Sequence, residues 1–366
     1  MKVFIAMGTR PEAIKLAPVI MALRGRAETI LCCTGQHAEL CTDALMSFGL
    51  RPDISLPAVT GPRTLTRLMA TLLEGLDTAL QHTLPDWMVV QGDTNSAFAA
   101  TLAAFYRGIA VAHVEAGLRT GDLAGPFPEE GNRAMLAQVA RLHFAPTRRA
   151  EANLLGEGIA PARIVVSGNT IVDAVALMQS DATRLETNLE LPGGPLVLVS
   201  CHRRENQGSV LAGICAAIRR LAQHYPRHTW LFPMHPDPAI RSLVEAELAG
   251  ISNILLRPPL TYGETLHVLS RCELVVTDSG GLQEEVAAFY KPVVVMREHT
   301  ERPEGVEAGF ASLAGRDPTG IEAAVCAWLD DPARRSALVG KPNPYGDGNA
   351  AGRIVEALLA AGEAAQ

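Results

Sequence analysis

VAHVEAGLRTGDLAGPFPEEGNR, residues 111–133, joins a predicted strand to a predicted helix through a loop rich in charged residues. It opens with an apolar run typical of a buried strand and closes in a helical pattern. Just upstream, the run VVQGD places Asp93 directly after another strand. Ligands of open α/β sheets bind at the edge where the parallel strands end. The charged side chains that we expect at this edge, besides Asp93, are His113, Glu115, Arg119, Asp122, Glu129, Glu130 and Arg133.

The same strand, turn and helix pattern recurs on both sides of a polar, aperiodic segment at 179–194 that ends in LPGG. Repeated βα units predict a mostly parallel sheet in each half. We therefore expect a Rossmann-like domain at 1–178, a second at 195–348, and a C-terminal segment at 349–366 that packs back on the first. The predicted fold class is α/β, with the two parallel-sheet domains facing a central cleft.

Length and composition exclude several classes of partner and indicate a cellular location. The chain has 366 residues and a net charge of −7, which argues against nucleic acid or an anionic membrane as the main partner. Seven cysteines without a CxxC pair indicate buried free thiols in a reducing cytosol. No apolar run approaches the ~20 residues of a membrane span, and the first apolar run is too brief for a signal peptide. We expect a cytoplasmic protein.

The first strand leads through GTRPEAIK into a helix N-terminus, where backbone N–H groups attract anions. Arg10 and Lys15 would add positive charge there, and Thr9 is placed to cap the helix. A capped helix with two solvated cations explains the same spacing equally well. The glycine fingerprint of nicotinamide-binding Rossmann folds is missing at this turn.

The second half carries a stronger phosphate signal. TDSGGLQEE, residues 277–285, follows an apolar strand and opens a helix, and its paired glycines let the backbone approach a ligand closely. HRREN, MHPDP and TERPE follow other strands of this half. The candidate phosphate, ribose or proton-transfer residues of these loops are His202, Arg203, His235, Ser279, Gly280, Gly281, Glu285 and Arg302.

Metal and nucleophile chemistry are disfavoured. His113, Glu115, Asp122 and Glu129 could supply metal ligands, but they lack the spacing of known zinc motifs, and neighbouring arginines oppose a cation. No GxSxG elbow occurs. Carboxylates in one half and phosphate-type loops in the other indicate chemistry on a group linked through a diphosphate, most plausibly a nucleotide sugar.

Taken together and in order, GTRPEAIKLAP, QGDT, HVEAGLRTGD, PFPEEGNR, HRREN, TDSGGLQEE, TERPE and NPYGDGNA resemble the bacterial non-hydrolysing UDP-N-acetylglucosamine 2-epimerases, from about residue 1 to 358. The resemblance implies a GT-B-like fold, a homodimer, and reversible conversion of UDP-N-acetylglucosamine into UDP-N-acetylmannosamine. It implies no nicotinamide or metal cofactor, and it implies a UDP-sugar substrate as the partner.

The resemblance also implies residue roles. Asp93, Glu115, Glu129 and His202 match the family's catalytic positions. We hypothesise that Asp93 and Glu129 handle the C2 protons while Glu115 or His202 assists the departure of UDP. The positions that match substrate or UDP contacts are Arg10, Lys15, Arg133, His235, Ser279, Gly280, Gly281, Glu285 and Arg302.

Many relatives bind a second substrate molecule as an activator. Gln36, His37 and Arg203 match that allosteric site, but Glu39 stands where relatives carry an amide, so activation stays open. Four other functions also stay open: an epimerase of a modified UDP-sugar, a hydrolysing epimerase, a retaining GT-B glycosyltransferase, and a non-catalytic nucleotide-sugar binder.

Overall fold

Short runs of apolar residues, each closed by a glycine or a polar turn, form the strands. The computed structural model describes residues 1–58, 64–181, 187, 189–203 and 206–363. It divides the chain into two compact units, Met1–Ser180 with Tyr345–Gln366, and Asp181–Pro344.

In the described part of the first unit, seven strands form one parallel sheet in the order β3-β2-β1-β4-β5-β6-β7. The strands are β1 (Lys2–Met7), β2 (Glu28–Cys33), β3 (Ile54–Ser55), β4 (Trp87–Gln91), β5 (Ala110–Val114), β6 (Leu142–Ala145) and β7 (Ile164–Val166). Apolar runs at 87–91, 142–145 and 164–166 predict β4, β6 and β7, and the structure confirms these bounds, whereas β3 is too short to stand out in the sequence.

The helices of the first unit connect these strands. They are α1 (Arg10–Leu23), α2 (Ala38–Ser47), α3 (Leu65–Thr83), α4 (Asn95–Tyr106), α5 (Glu129–Val139), α6 (Arg148–Gly156) and α7 (Thr170–Gln179), with a 3-10 turn at Pro161–Arg163. Alanines of α4 pack with Phe4, Met88 and Val90 of the sheet in the buried core. Small side chains there let the helix lie close to the strands.

In the described part of the second unit, six strands form a parallel sheet in the order β10-β9-β8-β11-β12-β13. They are β8 (Leu196–Ser200), β9 (Thr229–Pro233), β10 (Ile254–Arg257), β11 (Leu274–Thr277), β12 (Val293–Val295) and β13 (Ala311–Leu313). The helices are α8 (Ser209–His224), α9 (Pro238–Leu248), α10 (Tyr262–Arg271), α11 (Gly280–Ala287), α12 (Pro303–Glu307), α13 (Pro318–Leu329) and α14 (Pro332–Ser336).

The chain returns to the first unit at Tyr345 and ends in α15 (Ala350–Glu363), which packs with α1 and α7. The buried carboxylate of Asp173 accepts hydrogen bonds from the backbone N–H groups of Ala350 and Ala351, at 3.2 and 2.9 Å. These N–H groups lack partners within their own helix, so Asp173 anchors the start of α15.

Both sheets reverse their strand order once, between β1 and β4 in the first unit and between β8 and β11 in the second. Such a switch point leaves a crevice at the carboxyl ends of the two strands, where ligands of open α/β sheets bind. Among the described residues, no helix is both long enough and apolar enough to cross a membrane.

Candidate active site

Asp93 and Glu115 follow neighbouring strands and lie at the same edge of the first sheet. The register pairs Gln91 of β4 with Val114 of β5, and the Gly92 N–H donates to the Val114 carbonyl at 3.0 Å. Each carboxylate therefore begins a loop at the carboxyl end of its strand, as the sequence predicted.

Asp93 is held by a chain of charged groups. Its side chain is 27% exposed, and one carboxylate oxygen lies 2.7 Å from Nη1 of Arg133. Arg133 is buried, and its guanidinium also pairs with Glu130 at 2.7 Å. The second oxygen of Glu130 accepts from the backbone N–H groups of Thr120 and Gly121, at 3.0 and 2.9 Å. Glu130 thus fixes both the acidic loop and the arginine that orients Asp93.

Glu115 has a strained backbone and a tied side chain. Its φ is +64°, in the left-handed region that a non-glycine residue rarely adopts. Such strain costs about 1–3 kcal/mol and clusters at functional sites. The Glu115 carboxylate pairs with the ammonium of Lys15 and accepts a hydrogen bond from Nδ2 of Asn169 at 3.1 Å. Lys15, predicted as a substrate contact, is therefore buried against the predicted catalytic carboxylate, while Arg10 lies half-buried at the start of α1.

Glu129 differs from its neighbour Glu130. It is the first residue of α5, and its half-buried side chain makes no hydrogen bond or ion pair with any residue that the structure describes. The positive end of the helix dipole favours an anion at this position. Of the two adjacent glutamates, Glu130 is committed to the fold and Glu129 is available to a ligand.

Glu12 lies in the first turn of α1, and its side chain is buried at the first switch point. Its carboxylate accepts hydrogen bonds from the Gly8 N–H (3.1 Å) and from the hydroxyls of Thr9 and Thr94 (both 2.8 Å). Thr9 stands at the N-cap position but makes no side-chain cap, because its hydroxyl donates to Glu12. Burial raises the pKa of Glu12 to about 7, although the hydrogen bonds from Thr9, Thr94 and Gly8 oppose that rise.

The predicted allosteric residues of the first unit lie beside this switch point. The Gln36 side-chain oxygen accepts from the backbone N–H and the hydroxyl of Ser96, at 3.1 and 2.7 Å. The His37 N–H donates to the Gly8 carbonyl at 2.8 Å. A Cβ on Gly8 would lie 1.9 Å from the Ser96 hydroxyl, so only glycine fits there. The third predicted residue, Arg203, lies in the second unit.

His113 is a core histidine in this structure. It is 1% exposed, and its Nε2 lies 2.7 Å from the Gly92 carbonyl. Burial lowers its pKa to about 4, which keeps the imidazole neutral. In the described part of the chain, no group of three or more His, Cys, Asp or Glu side chains could hold a metal ion.

In the second unit, four strand-end loops bring the predicted residues to one edge. The rings of His202, after β8, and His235, after β9, lie 5.7 Å apart between centroids. The His235 Nδ1 accepts from the Asp237 N–H at 3.0 Å, so its neutral form carries the proton on Nε2. Two predicted histidines are thus neighbours, although 33 positions separate their sequence numbers.

The TDSGG turn starts α11. Ser279 is its N-cap, and the hydroxyl accepts from the Leu282 N–H at 3.4 Å. Gly280 makes room for a guanidinium, because a Cβ there would lie 2.5 Å from Nη1 of Arg302, whereas Gly281 has no such crowding. Backbone N–H groups at a helix start suit a phosphate.

Arg302 belongs to a buried charge cluster beside this turn. Its guanidinium pairs with Glu301 and, through Nε at 2.5 Å, with Glu284. Arg297 and Arg203 also lie near Glu301, at 2.8 and 3.6 Å. Burial disfavours the charge on Glu301, but Arg302, Arg297 and Arg203 outweigh burial and hold its pKa well below the usual range. The guanidinium groups of Arg302, Arg297 and Arg203 thus share the carboxylate of Glu301.

The sequence reasoning missed several residues that hold the site together. They are Glu12, Asn169, Asp278, Glu284 and Glu301, each buried. Glu12, Asp278, Glu284 and Glu301 lie within motifs that were already singled out. Asp278 directly follows a strand, and that position was the available signal. Glu285, predicted to meet ribose, is also buried on α11 at 7% exposure.

Two Rossmann-like parallel-sheet domains, each with polar and charged loops at its switch point, place this chain among the two-domain α/β proteins that bind ligands at their strand ends. Solved structures agree over nearly the whole chain. The UDP-GlcNAc 2-epimerase of Neisseria meningitidis bound to UDP-GlcNAc has a TM-score of 0.94 at 36% identity, covering 98% of this chain and 100% of that one. The predicted fold class, α/β with a parallel sheet in each of two domains, is confirmed.

The family follows from the sequence comparisons. The model of the family described as UDP-N-acetylglucosamine 2-epimerase matches residues 21–359. The UDP-N-acetylglucosamine 2-epimerase of Escherichia coli K12 is 41% identical over 369 residues, covering 98% of each chain. A probable UDP-N-acetylglucosamine 2-epimerase of Ralstonia solanacearum is 40% identical, covering 98% of this chain and 99% of its own. The chain belongs to the UDP-N-acetylglucosamine 2-epimerase family, and the predicted resemblance is confirmed.

Proposed function

We propose that this protein is a non-hydrolysing epimerase that interconverts UDP-N-acetylglucosamine and UDP-N-acetylmannosamine. The observation that carries the proposal is the retained set of carboxylates on the first unit. Asp93 is oriented by Arg133, Glu115 is paired with Lys15 in a strained backbone, and Glu129 has its carboxylate available.

The reaction begins with cleavage of the C1–O bond, whose electron pair leaves with UDP. Positive charge that develops at C1 acidifies the C2–H, a base removes that proton, and the C1–C2 double bond of 2-acetamidoglucal forms. A proton then reaches the opposite face of C2, and a UDP oxygen attacks C1 again. Two proton-transfer groups on opposite faces and cations around the departing diphosphate are required.

We assign the two C2 protons to Asp93 and Glu129. Glu115 or His202 assists the departing UDP. Glu115 is held in place by Lys15, and His202 lies beside His235. Ser279, Gly280, Gly281 and the charge cluster that includes Arg302 bind the UDP. Substrate and product are isomers, so the reaction needs no net oxidant, and we propose neither a nicotinamide nor a metal cofactor.

Incubation of the purified protein with UDP-N-acetylglucosamine in heavy water tests the proposal. Proton NMR follows the reaction. We expect the product to be UDP-N-acetylmannosamine that carries deuterium at C2. Free N-acetylmannosamine and UDP would indicate a hydrolysing enzyme instead. Deuterium at C2 would be missing for a glycosyltransferase, and UDP binding without turnover would leave only a nucleotide-sugar binder.

Isosteric variants test the assigned roles. Asp93→Asn and Glu129→Gln should each lower kcat by about 10²–10⁴-fold, the usual contribution of a positioned acid or base. Glu74→Gln, on the exposed face of α3, is the matched control and should keep normal rates. Near-normal rates in either site variant would remove that residue from the proton-transfer role.

We further propose that the protein is a cytoplasmic homodimer, as the family resemblance implies. Light scattering coupled to size-exclusion chromatography should give twice the 38.9 kDa mass of the chain. A mass of one chain across micromolar concentrations would overturn the dimer.

A further inference from the structure

Asp278 is the hub of the loop that carries His202. It is fully buried directly after β11, and its carboxylate accepts from four neighbouring groups of the loop after β8. The donors are the Cys201 thiol (3.4 Å), the His202 N–H (3.0 Å to both oxygens), the Arg203 N–H (2.9 Å) and Nδ2 of Asn206 (2.9 Å).

The main chain of Asp278 is tied to the same region. Its N–H donates to the Ser200 carbonyl at 3.3 Å, and its carbonyl accepts from Nε of Arg203 at 3.0 Å. Burial, together with the charge of Asp278, raises the pKa of the Cys201 thiol well above its usual value, so Cys201 stays a donor. Every polar group of Asp278 thus meets the chain that runs out of β8.

The contacts of Asp278 lie at the switch point of the second sheet. β8 and β11 are the two strands of the switch point in the second unit, and Asp278 joins their outgoing loops. One loop carries His202 and Arg203, and the other continues into Ser279 and Gly280 at the start of α11. The carboxylate therefore determines where two predicted ligand-binding loops stand relative to each other.

We propose that Asp278 is a positioning residue, whose carboxylate holds the loop after β8 so that His202 and Arg203 meet the UDP bound at the start of α11. This inference rests on the proposed function. Asp278 is itself buried and does not touch the ligand. All four donors of the loop reach Oδ2, and the His202 N–H also reaches Oδ1. Asn has one acceptor oxygen and no charge, so with that oxygen facing the four donors its NH₂ group is turned toward the His202 N–H.

Asp278→Asn is the direct test. We expect kcat to fall by about 10²-fold, the loss that a displacement of about 1 Å causes at a reacting centre. We also expect weaker UDP binding by calorimetry. The matched control in the same unit is Asp317→Asn, at a helix cap where the carboxylate accepts from the Thr319 and Gly320 N–H groups at 3.0 and 3.2 Å. It should change neither quantity by more than about twofold, the scale of a surface substitution.

Two further measurements distinguish a positioning role of Asp278 from a purely structural one. Val275→Ala, in the buried part of β11, lowers the stability of the unit without touching the loop. The ring resonance of His202, assigned with His202→Gln in protein labelled at histidine with ¹³C, reports the loop directly. Asp278→Asn should shift or broaden that resonance, and Val275→Ala should leave it unchanged.

If the Asp278→Asn variant does not fold, Asn206→Ala is the alternative test. It removes one donor and keeps the carboxylate, so it should shift the His202 resonance and lower kcat in the same direction but less. Unchanged kinetics and an unchanged His202 resonance in the folded variant would overturn the proposal, and so would equal losses in Asp278→Asn and Val275→Ala. If the wild-type protein lacks turnover, the proposed function fails, while UDP binding and the His202 resonance still decide the role of Asp278.

Discussion

Replacing Glu12 by Gln isolates the titration of one buried carboxyl group. Burial raises the pKa of Glu12 from 4.5 to about 7, so the folded protein retains a proton that the unfolded chain loses above pH 4.5. Stability falls with rising pH wherever the folded state binds more protons than the unfolded state. The contribution of Glu12 to the free energy of unfolding should therefore fall progressively as the pH rises from about 4.5 to about 7. Gln has no titrating proton, so it makes no such pH-dependent contribution.

The size of the effect follows from the shift. A change of one pKa unit corresponds to about 1.4 kcal/mol, so a rise from 4.5 to about 7 corresponds to roughly 3 kcal/mol. Glu12 is fully buried, and solvent screening does not reduce this figure appreciably. The difference in unfolding free energy, wild type minus Glu12→Gln, should thus fall by about 3 kcal/mol from pH 4.5 to pH 8.

Urea unfolding followed by circular dichroism, at half-unit steps of pH, measures this difference. All other titrating groups are shared by the two proteins and cancel in the difference. Glu74→Gln, exposed on α3, is the control for a Glu-to-Gln substitution at the surface. A difference for Glu12→Gln that stays flat, or that rises with pH, would refute the reasoning. It would mean that the hydrogen bonds from Gly8, Thr9 and Thr94 outweigh burial and keep Glu12 ionised.

Two further substitutions test the division of labour in the site. Glu130→Gln removes the charge that faces the buried guanidinium of Arg133, and urea unfolding should show a loss of about 3 kcal/mol, whereas Glu129→Gln should leave stability within about 0.5 kcal/mol of wild type. Equal losses in the two variants would contradict the assignment. Gly280→Ala places a methyl group against the guanidinium of Arg302, so calorimetry should show UDP bound about tenfold more weakly, a free-energy loss of about 1.4 kcal/mol. Unchanged affinity would place the UDP elsewhere.

The local sequence pattern predicted the strands of this protein and the sheet edge at which its carboxylates lie. Apolar runs closed by glycine or a polar turn predicted the strands, and the parallel order of repeated βα units placed Asp93 and Glu115 at one edge. Those inferences succeed because alternation, strand length and the right-handed crossover constrain each unit from its own residues. The ordered motifs identified the family in the same way.

Tertiary structure alone decided which charged groups meet. Lys15 and Glu115 lie 100 positions apart, and Asp278 meets the His202 loop across 76. Nothing in PFPEE shows that its second glutamate is buried on Arg133 while the first stays available. Such pairings depend on how strands and loops pack after the chain folds, because burial makes an unpartnered charge so costly that each one must find its counterpart in space.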